Sequence, residues 1–358
     1  MQVMNITSRV KDYPVTFAEH DDFLTGLAMK NDCVFVIDSN VLRYHKDHCL
    51  KILGKSDIVS FPVSEERKNL RSVEELYDKI MERSAKKNMT LVSIGGGILQ
   101  DITGFAATTL YRGINWIFVP TTLLAQADSC IGSKTSLNYK RFKNLIGTFY
   151  PPAEVFIYAP FLTTLEEVDF FSGIGEVVKL HIMGGDAATS EMTELLPNMV
   201  RRDPEALMTA IQNSLRIKQS FMEGDEFDTG RRNLLNFGHC FGHALETVSD
   251  YAIPHGQSVV IGMVFANIAA KNRALLSVQK AEYLLHNLLL KSLVTKGTRS
   301  HYEYAPLLDA MKKDKKRTGR GLVLVILRDD HALEKLTDFS EQELSAALDE
   351  LKQVMRIS

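Results

Sequence analysis

The chain has 358 residues, 45% of them hydrophobic and 24% charged, with a formal net charge of -2 and a pI near 6.6. This length is generous for one core and fits two domains, and the near-neutral balance excludes the electrostatic footprint of a nucleic-acid-binding protein. Four cysteines (Cys33, Cys49, Cys130 and Cys240) lack any CxxC spacing, so neither a zinc knot nor a disulfide framework is expected and the chain reads as cytoplasmic.

The opening "MQVMNITSRVKDYPV" lacks the apolar core of a secretory signal. "CVFVIDSN" (33–40) reads as a buried parallel strand closed by a loop. "SVEELYDKIMERSAKK" (72–87) reads as a helix with Leu76, Ile80 and Met81 on its inner face. "LVSIGGG" (91–97) and "NWIFVPTT" (115–122) are further strands, and the alternation implies a parallel sheet with right-handed crossovers. "GSKTSLN" (132–138) is expected to be a flexible loop presenting Lys134.

Three prolines in "FYPPAEVFIYAPFL" (149–162) mark a change of character. "TTLEEVDFFSGIGEVVKLHIM", "DPEALMTAIQNSLRIKQSFMEG" and "SEQELSAALDELKQVM" are patterned as helices, and "GLVLVIL" (321–327) is the remaining strand-like run. "VVIGMVFANIAA" (259–270) falls short of the ~20 residues a spanning helix needs and reads as a buried core helix, so no membrane partner is expected. The expected architecture is an α/β nucleotide-type domain over 1–161 and a mostly α-helical domain over 162–358.

Several stretches could carry chemistry. "GGGILQD" (95–101) follows a strand and opens a helix, where backbone N–H groups suit a phosphate, although it is not GxGxxG and a plain tight turn explains it equally well. Asp38, ending an earlier strand, could accept ribose hydroxyls. "GSKTSLN" fails as a P-loop because Ser133 and Asp128 stand where glycines are required, yet Lys134, Lys143 and Asn144 suit an anionic substrate. In "GIGEVVK" (173–179), Glu176 and Lys179 share a face of an apolar helix, and a buried carboxylate there needs a cation or a metal. "RRNLLNFGHCFGHALE" and "IPHGQ" add Arg232, Asn236, His239, His243 and His255. Three histidines within 17 residues plus a buried glutamate make a plausible zinc set, and the missing Glu of HExxH argues against a metalloprotease. The one dense basic run, "KKDKKR" (312–317), reads by default as a solvated face.

Taken together, "GGGILQDITGFAATTLYRG", "VPTTLLAQADS", "KNLIGTFYPP", "GEVVK", "RRNLLNFGHCFGHALE" and "PHGQ" resemble, in order, the dehydroquinate synthase family of sugar-phosphate cyclases. The resemblance spans about residues 33 to 327. It implies a Rossmann-like NAD-binding domain followed by a helical metal- and substrate-binding domain. It further implies a divalent metal, zinc or cobalt, on Glu176, His239 and His255. NAD is assigned to Asp38, Asn40, Glu65, Lys68, Gly96, Gly97, Asp101, Thr121, Thr122, Lys143 and Thr164. The sugar phosphate is assigned to Asp128, Lys134, Asn144, Lys179, Lys218, Arg232, Asn236, His243 and Lys316, the last of which overturns the default reading of the basic run. Arg112 is implied to reach a substrate phosphate across a homodimer. The implied reaction moves a hydride transiently to NAD, eliminates phosphate, restores the hydride and closes a carbocycle by intramolecular aldol addition, with His243 as the proton shuttle.

Four positions depart from the family's usual pattern. Ser133 replaces the second glycine before the lysine, Cys130 stands where Ser is frequent, Gln100 where Gly is frequent, and Gln257 where Glu commonly follows His-Gly. The retained Lys218, Arg232, Asn236 and His243 favour a carboxylate-bearing heptulosonate. Family relatives that make deoxy-inosose or valiolone-type products tend to alter part of that set, and the metal-dependent polyol dehydrogenases share the two-domain plan.

Overall fold

Short runs of Val, Ile and Phe, buried on both faces, build the sheet of the first half of the molecule. The computed structural model describes residues 2–30, 32–54, 56–83, 86–140, 142–313 and 321–357. Two compact units are present, Met1–Leu165 and Glu166–Ser358.

In chain order the first unit comprises β1 (Gln2–Ile6), β2 (Tyr13–Phe17), α1 (Asp22–Ala28), β3 (Cys33–Asp38), α2 (Ser39–His45), β4 (Asp57–Phe61) and α3 (Leu70–Met81). It continues with β5 (Thr90–Gly95), α4 (Gly97–Thr109), β6 (Asn115–Pro120), β7 (Lys134–Tyr139), β8 (Phe142–Phe149) and β9 (Glu154–Ile157). Seven strands form one sheet in the order β1-β2-β9-β6-β5-β3-β4, parallel throughout except for the β1–β2 pair. The expected parallel α/β sheet is therefore present. Because β6, β5, β3 and β4 are parallel neighbours, their carboxyl ends lie along one edge, where ligands of open α/β sheets bind.

Two local expectations need correction. On α3 the inner face is Val73, Leu76 and Ile80, whereas Met81 is 51% exposed and ends the helix. The i, i+3, i+7 spacing selects Val73, and Met81 lies a further 100° round the helix. Lys134–Tyr139 is a strand and not a flexible loop. Thr135 and Leu137 alternate with less buried residues, and the strand pairs antiparallel with β8 from Lys134↔Phe149 to Tyr139↔Phe142.

The second unit comprises α5 (Glu167–Met183), α6 (Asp186–Val200), α7 (Pro204–Met222), α8 (His239–Val248), α9 (His255–Asn272) and α10 (Val278–Leu284). It ends with α11 (Tyr304–Lys312), β10 (Leu322–Leu327), β11 (Leu333–Phe339) and α12 (Glu341–Val354). Helices α5 and α9 are buried all round, Phe170–Met183 and Gly256–Ala270 without a break, as expected for helices apolar on every face. No helix among the described residues is long and apolar enough to cross a membrane.

Glycines decide how closely these helices approach. A Cβ on Gly256 would lie 1.8 Å from the Ser172 carbonyl oxygen, and one on Gly175 2.4 Å from the Gly256 carbonyl oxygen, so α5 and α9 meet backbone to backbone. A Cβ on Gly262 would lie 1.9 Å from the carbonyl oxygen of Gly238, which takes φ +77 immediately before α8. Only glycine permits both contacts, and they bring the N-terminal turns of α8 and α9 and the middle of α5 together.

Candidate active site

In the first unit, residues expected to hold NAD gather at the carboxyl ends of three adjacent strands. Asp38 ends β3 and Gly95 ends β5, with Gly95 paired to Pro120 at the end of β6, so Thr121 and Thr122 follow beside the glycine turn. A Cβ on Gly96 would come within 2.9 Å of the Thr122 methyl, which keeps the backbone entry to α4 bare. Thr121 is 2% exposed, and its hydroxyl has no hydrogen-bond partner among the described residues. A buried hydroxyl without a partner beside a bare helix N-terminus fits a ligand that brings phosphate and ribose oxygens. Asp38 caps α2 by accepting from the Asn40 N–H at 2.8 Å, and burial raises its carboxyl pKa against that bond. Thr164 lies by a cavity of about 370 Å³, its hydroxyl 2.9 Å from His45 Nε2.

A polar network ties the β7–β8 hairpin to α4 and to the turn after β4. Lys68 Nζ lies 2.5 Å from Asp101 Oδ2 and donates to Asn144 Oδ1 at 2.7 Å. The Ser136 N–H and hydroxyl donate to Asp101 at 2.8 and 3.2 Å. Asn138 donates to Glu65 Oε1 at 2.8 Å, which also faces Lys143 at 3.6 Å. Lys68, Asp101, Glu65, Lys143 and Asn144, from three separate stretches of sequence, thus form one assembly. Burial raises the Asp101 pKa, with Lys68 and Ser136 opposing it.

Asp128 sits on a single π-helical turn, Ala125–Ser129, a distortion frequent at functional sites. Gln100, buried on α4, clasps the next residue, since its amide donates to the Ser129 carbonyl and accepts from the Ser129 hydroxyl, both at 2.7 Å. Ser133 takes φ +62, which explains why glycine is usual there and costs an L-residue about 1–2 kcal/mol. Cys130 is buried, its thiol 3.4 Å from the Gln126 carbonyl. Lys134, exposed, opens β7. Arg112 and Tyr111 are exposed at φ +65 and +52.

In the second unit, α5, α8 and α9 converge on Glu176. This carboxylate is fully buried, and neither oxygen has a well-formed hydrogen bond among the described residues. Oε2 faces Lys179 Nζ at 2.5 Å, while Oε1 lies 3.6 Å from His239 Nε2 and 3.3 Å from His255 Nε2. The ligand nitrogens of His239, His243 and His255 lie within 4.8 Å of one another. His239 Nδ1 lies 3.1 Å from the Phe237 carbonyl. A carbonyl only accepts, so Nδ1 carries the proton and Nε2 keeps its lone pair toward Glu176. Burial lowers the His239 pKa well below its usual value, with Lys179, His255 and His243 adding to the effect. For His255 burial acts the same way but is outweighed by Glu246 and Glu176, which push it up to about 10. The Glu176 carboxyl is depressed by Lys179 and His255 against burial. A buried carboxylate facing two or three imidazole nitrogens is a donor set that fits a divalent metal with open positions.

Lys179, Lys218 and Arg232 of this unit are buried, at 2%, 7% and 3% exposure, and Lys179 faces the Glu176 carboxylate. Arg232 donates to the Glu226 carbonyl, and Asn236 donates to the Asn233 carbonyl at 2.7 Å. The loop before Arg232 is organised by Asp225, which sequence reasoning missed. Its carboxylate accepts from the N–H groups of Thr229, Gly230 and Arg232, each at 2.8 Å. Against desolvation, these bonds hold the Asp225 pKa at about 2. The Asp-x₃-Thr-Gly spacing of "DEFDTG" was the available signal. Gln257 departs from the glutamate usual at this place in the family. It is fully buried and joins four backbone groups, donating to Phe171 and Ser292 carbonyls at 2.9 Å and accepting from Val294 and Thr295 at 2.9 and 3.3 Å. A carboxylate could not make the first two bonds. Lys316 lies outside the described residues.

Residues 58–172 match the 3-dehydroquinate synthase N-terminal family and residues 173–317 the 3-dehydroquinate synthase C-terminal family. The chain belongs to the 3-dehydroquinate synthase family. A 3-dehydroquinate synthase of Clostridium tetani is 34% identical over 89% of this chain and 86% of that protein. Two solved cyclases of this fold are similar throughout. They are a 2-epi-5-epi-valiolone synthase from Streptomyces hygroscopicus with NAD+ and Zn2+ bound (TM-score 0.82, 23% identity, 97% of this chain and 99% of that one) and a 2-deoxy-scyllo-inosose synthase with carbaglucose-6-phosphate, NAD+ and Co2+ (TM-score 0.81, 22% identity, 98% and 100%). They fix the fold of this family member: an α/β unit with a parallel sheet, followed by a helical unit.

Proposed function

We propose that this chain is a 3-dehydroquinate synthase, converting 3-deoxy-D-arabino-heptulosonate 7-phosphate to 3-dehydroquinate and phosphate. The observation that carries this reading is the convergence of Glu176, His239 and His255 in a unit that also buries Lys179, Lys218 and Arg232. A neutral polyol would need no such cations, whereas a substrate with a carboxylate and a phosphate would.

Asp38, Gly96, Gly97, Thr121 and Thr122 are the core of the NAD site in this reading, with Asn40, Glu65, Lys68, Asp101, Lys143 and Thr164 around it. When bound there, NAD would supply a hydride acceptor and donor for a ring carbon of the substrate. Glu176, His239 and His255 hold a divalent metal, zinc or cobalt, which when bound lowers the pKa of substrate hydroxyls. Lys134, Asn144, Lys179, Lys218, Arg232, Asn236 and Lys316 bind the substrate's anionic and hydroxyl oxygens, with Asp128 accepting from a hydroxyl. His243 moves the proton at the oxidised carbon.

Incubation with NAD, zinc and the heptulosonate phosphate tests the proposal. Phosphate should be released with no net NADH. Stoichiometric NADH without phosphate would favour a polyol dehydrogenase and sink the cyclase reading. Ser133, whose strained backbone departs from the usual glycine, keeps an allied cyclase in view. Phosphate release from a non-carboxylate sugar phosphate in place of the heptulosonate would decide for that alternative.

The same reading makes the enzyme a cytoplasmic homodimer. Support comes from its four free cysteines and from Arg112, exposed on a turn where three successive residues, Tyr111 to Gly113, take positive φ, the kind of strain kept at functional sites. Arg112→Ala mixed with a variant inactive elsewhere should regain activity through shared sites. No regain at any mixing ratio counts against a shared site.

A further inference from the structure

Helix α8 carries a third polar group on the face that bears His239 and His243. Glu246 lies seven residues after His239 and three after His243, two turns and one turn along the same stripe. It is 3% exposed, and its Oε1 lies 3.3 Å from His255 Nδ1. The other ring nitrogen of His255, Nε2, lies 3.3 Å from Glu176 Oε1. One imidazole is thus held between carboxylates from two different helices, while its neighbour His239 is held at Nδ1 by a backbone carbonyl.

We propose that Glu246 is the positioning residue of the metal centre, accepting the Nδ1–H of His255 so that Nε2 presents its lone pair toward Glu176 and the metal. This rests on the reading of Glu176, His239 and His255 as a metal site. An imidazole bonded through one nitrogen must carry its proton on the other, and a buried carboxylate fixes both that tautomer and the ring plane. The carboxylate also adds electron density to the ring, so His255 becomes the more basic of the two histidine ligands. His239, facing a neutral carbonyl, receives no such help. His255 is half-buried at the first residue of α9, where no preceding helical turn restrains its rotamer, so Glu246 supplies the restraint.

The test is metal binding by the full chain, stripped of metal and titrated with Zn2+ against a competing chelator, with the visible spectrum of the Co2+-loaded protein as second readout. Glu246→Ala should weaken Zn2+ binding 10- to 100-fold and change the Co2+ spectrum, because His255 is free to turn. Glu246→Gln can still accept the Nδ1–H through its amide oxygen, so it should keep the Co2+ spectrum and lose only part of the affinity. It also serves if the alanine variant fails to fold. Wild-type affinity and spectrum in the Gln and the folded Ala variants, with binding lost in His239→Ala, would overturn the role of Glu246. Absence of metal binding by the wild-type chain itself would instead overturn the metal-site reading.

Discussion

His239→Ala loses tight Zn2+ binding, whereas His243→Ala keeps the metal and loses turnover: this is the expected result of metal analysis and assay on the two purified variants. The geometry makes the experiment worthwhile, because all three histidines lie within ligand distance of one another. His239 and His243 are four positions apart, which puts both on one helix face. What distinguishes them is Glu176, whose Oε1 lies 3.6 Å from His239 and 3.3 Å from His255. On the proposed assignment, a metal held by that carboxylate would be completed by His239 and His255, leaving His243 as the proton carrier. Equal metal loss in both variants would show three imidazole ligands and return the shuttle role to another group.

The same centre should bind metal more tightly as pH rises. His239, its pKa lowered mainly by burial, is already neutral. His255, pushed up to about 10 by Glu246 and Glu176 against burial, carries a proton on each nitrogen in the metal-free protein, and one must leave. Below about pH 10 the apparent affinity should therefore rise roughly tenfold per pH unit from this group. In the metal-free protein the sign of the stability term is opposite. A histidine with a raised folded pKa stabilises fully below its unfolded value near 6.5, and that contribution is lost as pH climbs toward 10.

Lys68→Met should destabilise the N-terminal unit by about 3 kcal/mol, the low end of the cost of breaking a buried ion pair. The low end applies because 15% of the Asp101 side chain still meets solvent. Lys68 is the main group opposing the burial of Asp101. Without it the carboxylate keeps two bonds from Ser136 and has lost its charged partner. Burial already raises the Asp101 pKa, and loss of Lys68 raises it further. Protonation then relieves the variant at acid pH, and its deficit widens as pH rises through the shifted value. Denaturant unfolding of Lys68→Met, Asp101→Asn and the double variant measures the coupling. A coupling below about 0.5 kcal/mol would equate the pair with a surface salt bridge and leave the network to the cofactor alone.

Part of the candidate site is written in local spacing. Glu176 and Lys179 three apart in an apolar helix announce a buried ion pair, and 2.5 Å separates them. The strand–glycine–helix order around Gly95 to Gly97 suits a ligand-facing turn and a plain tight turn alike, and it is the sheet that sets Asp38, Thr121 and Thr122 at neighbouring strand ends. Other parts have no local signal. Glu246 reads in sequence as one more residue of an amphipathic helix, and its meaning depends on His255 from the next helix. Asp225 reads as a loop acid until its three N–H donors are seen. Met81 and the 134–139 segment misled because single-residue phase and short polar strands are weakly specified by pattern alone.

By itself the sequence determined the succession of an α/β half and a helical half, the family and the residue types available for chemistry, since hydrophobic periodicity and linked motifs are properties of the chain read along its length. Only the tertiary structure decided which histidines meet Glu176. That depends on α5, α8 and α9 approaching until backbone atoms touch at Gly175, Gly256, Gly238 and Gly262, and contact across helices is a matter of excluded volume that no spacing along one helix can express.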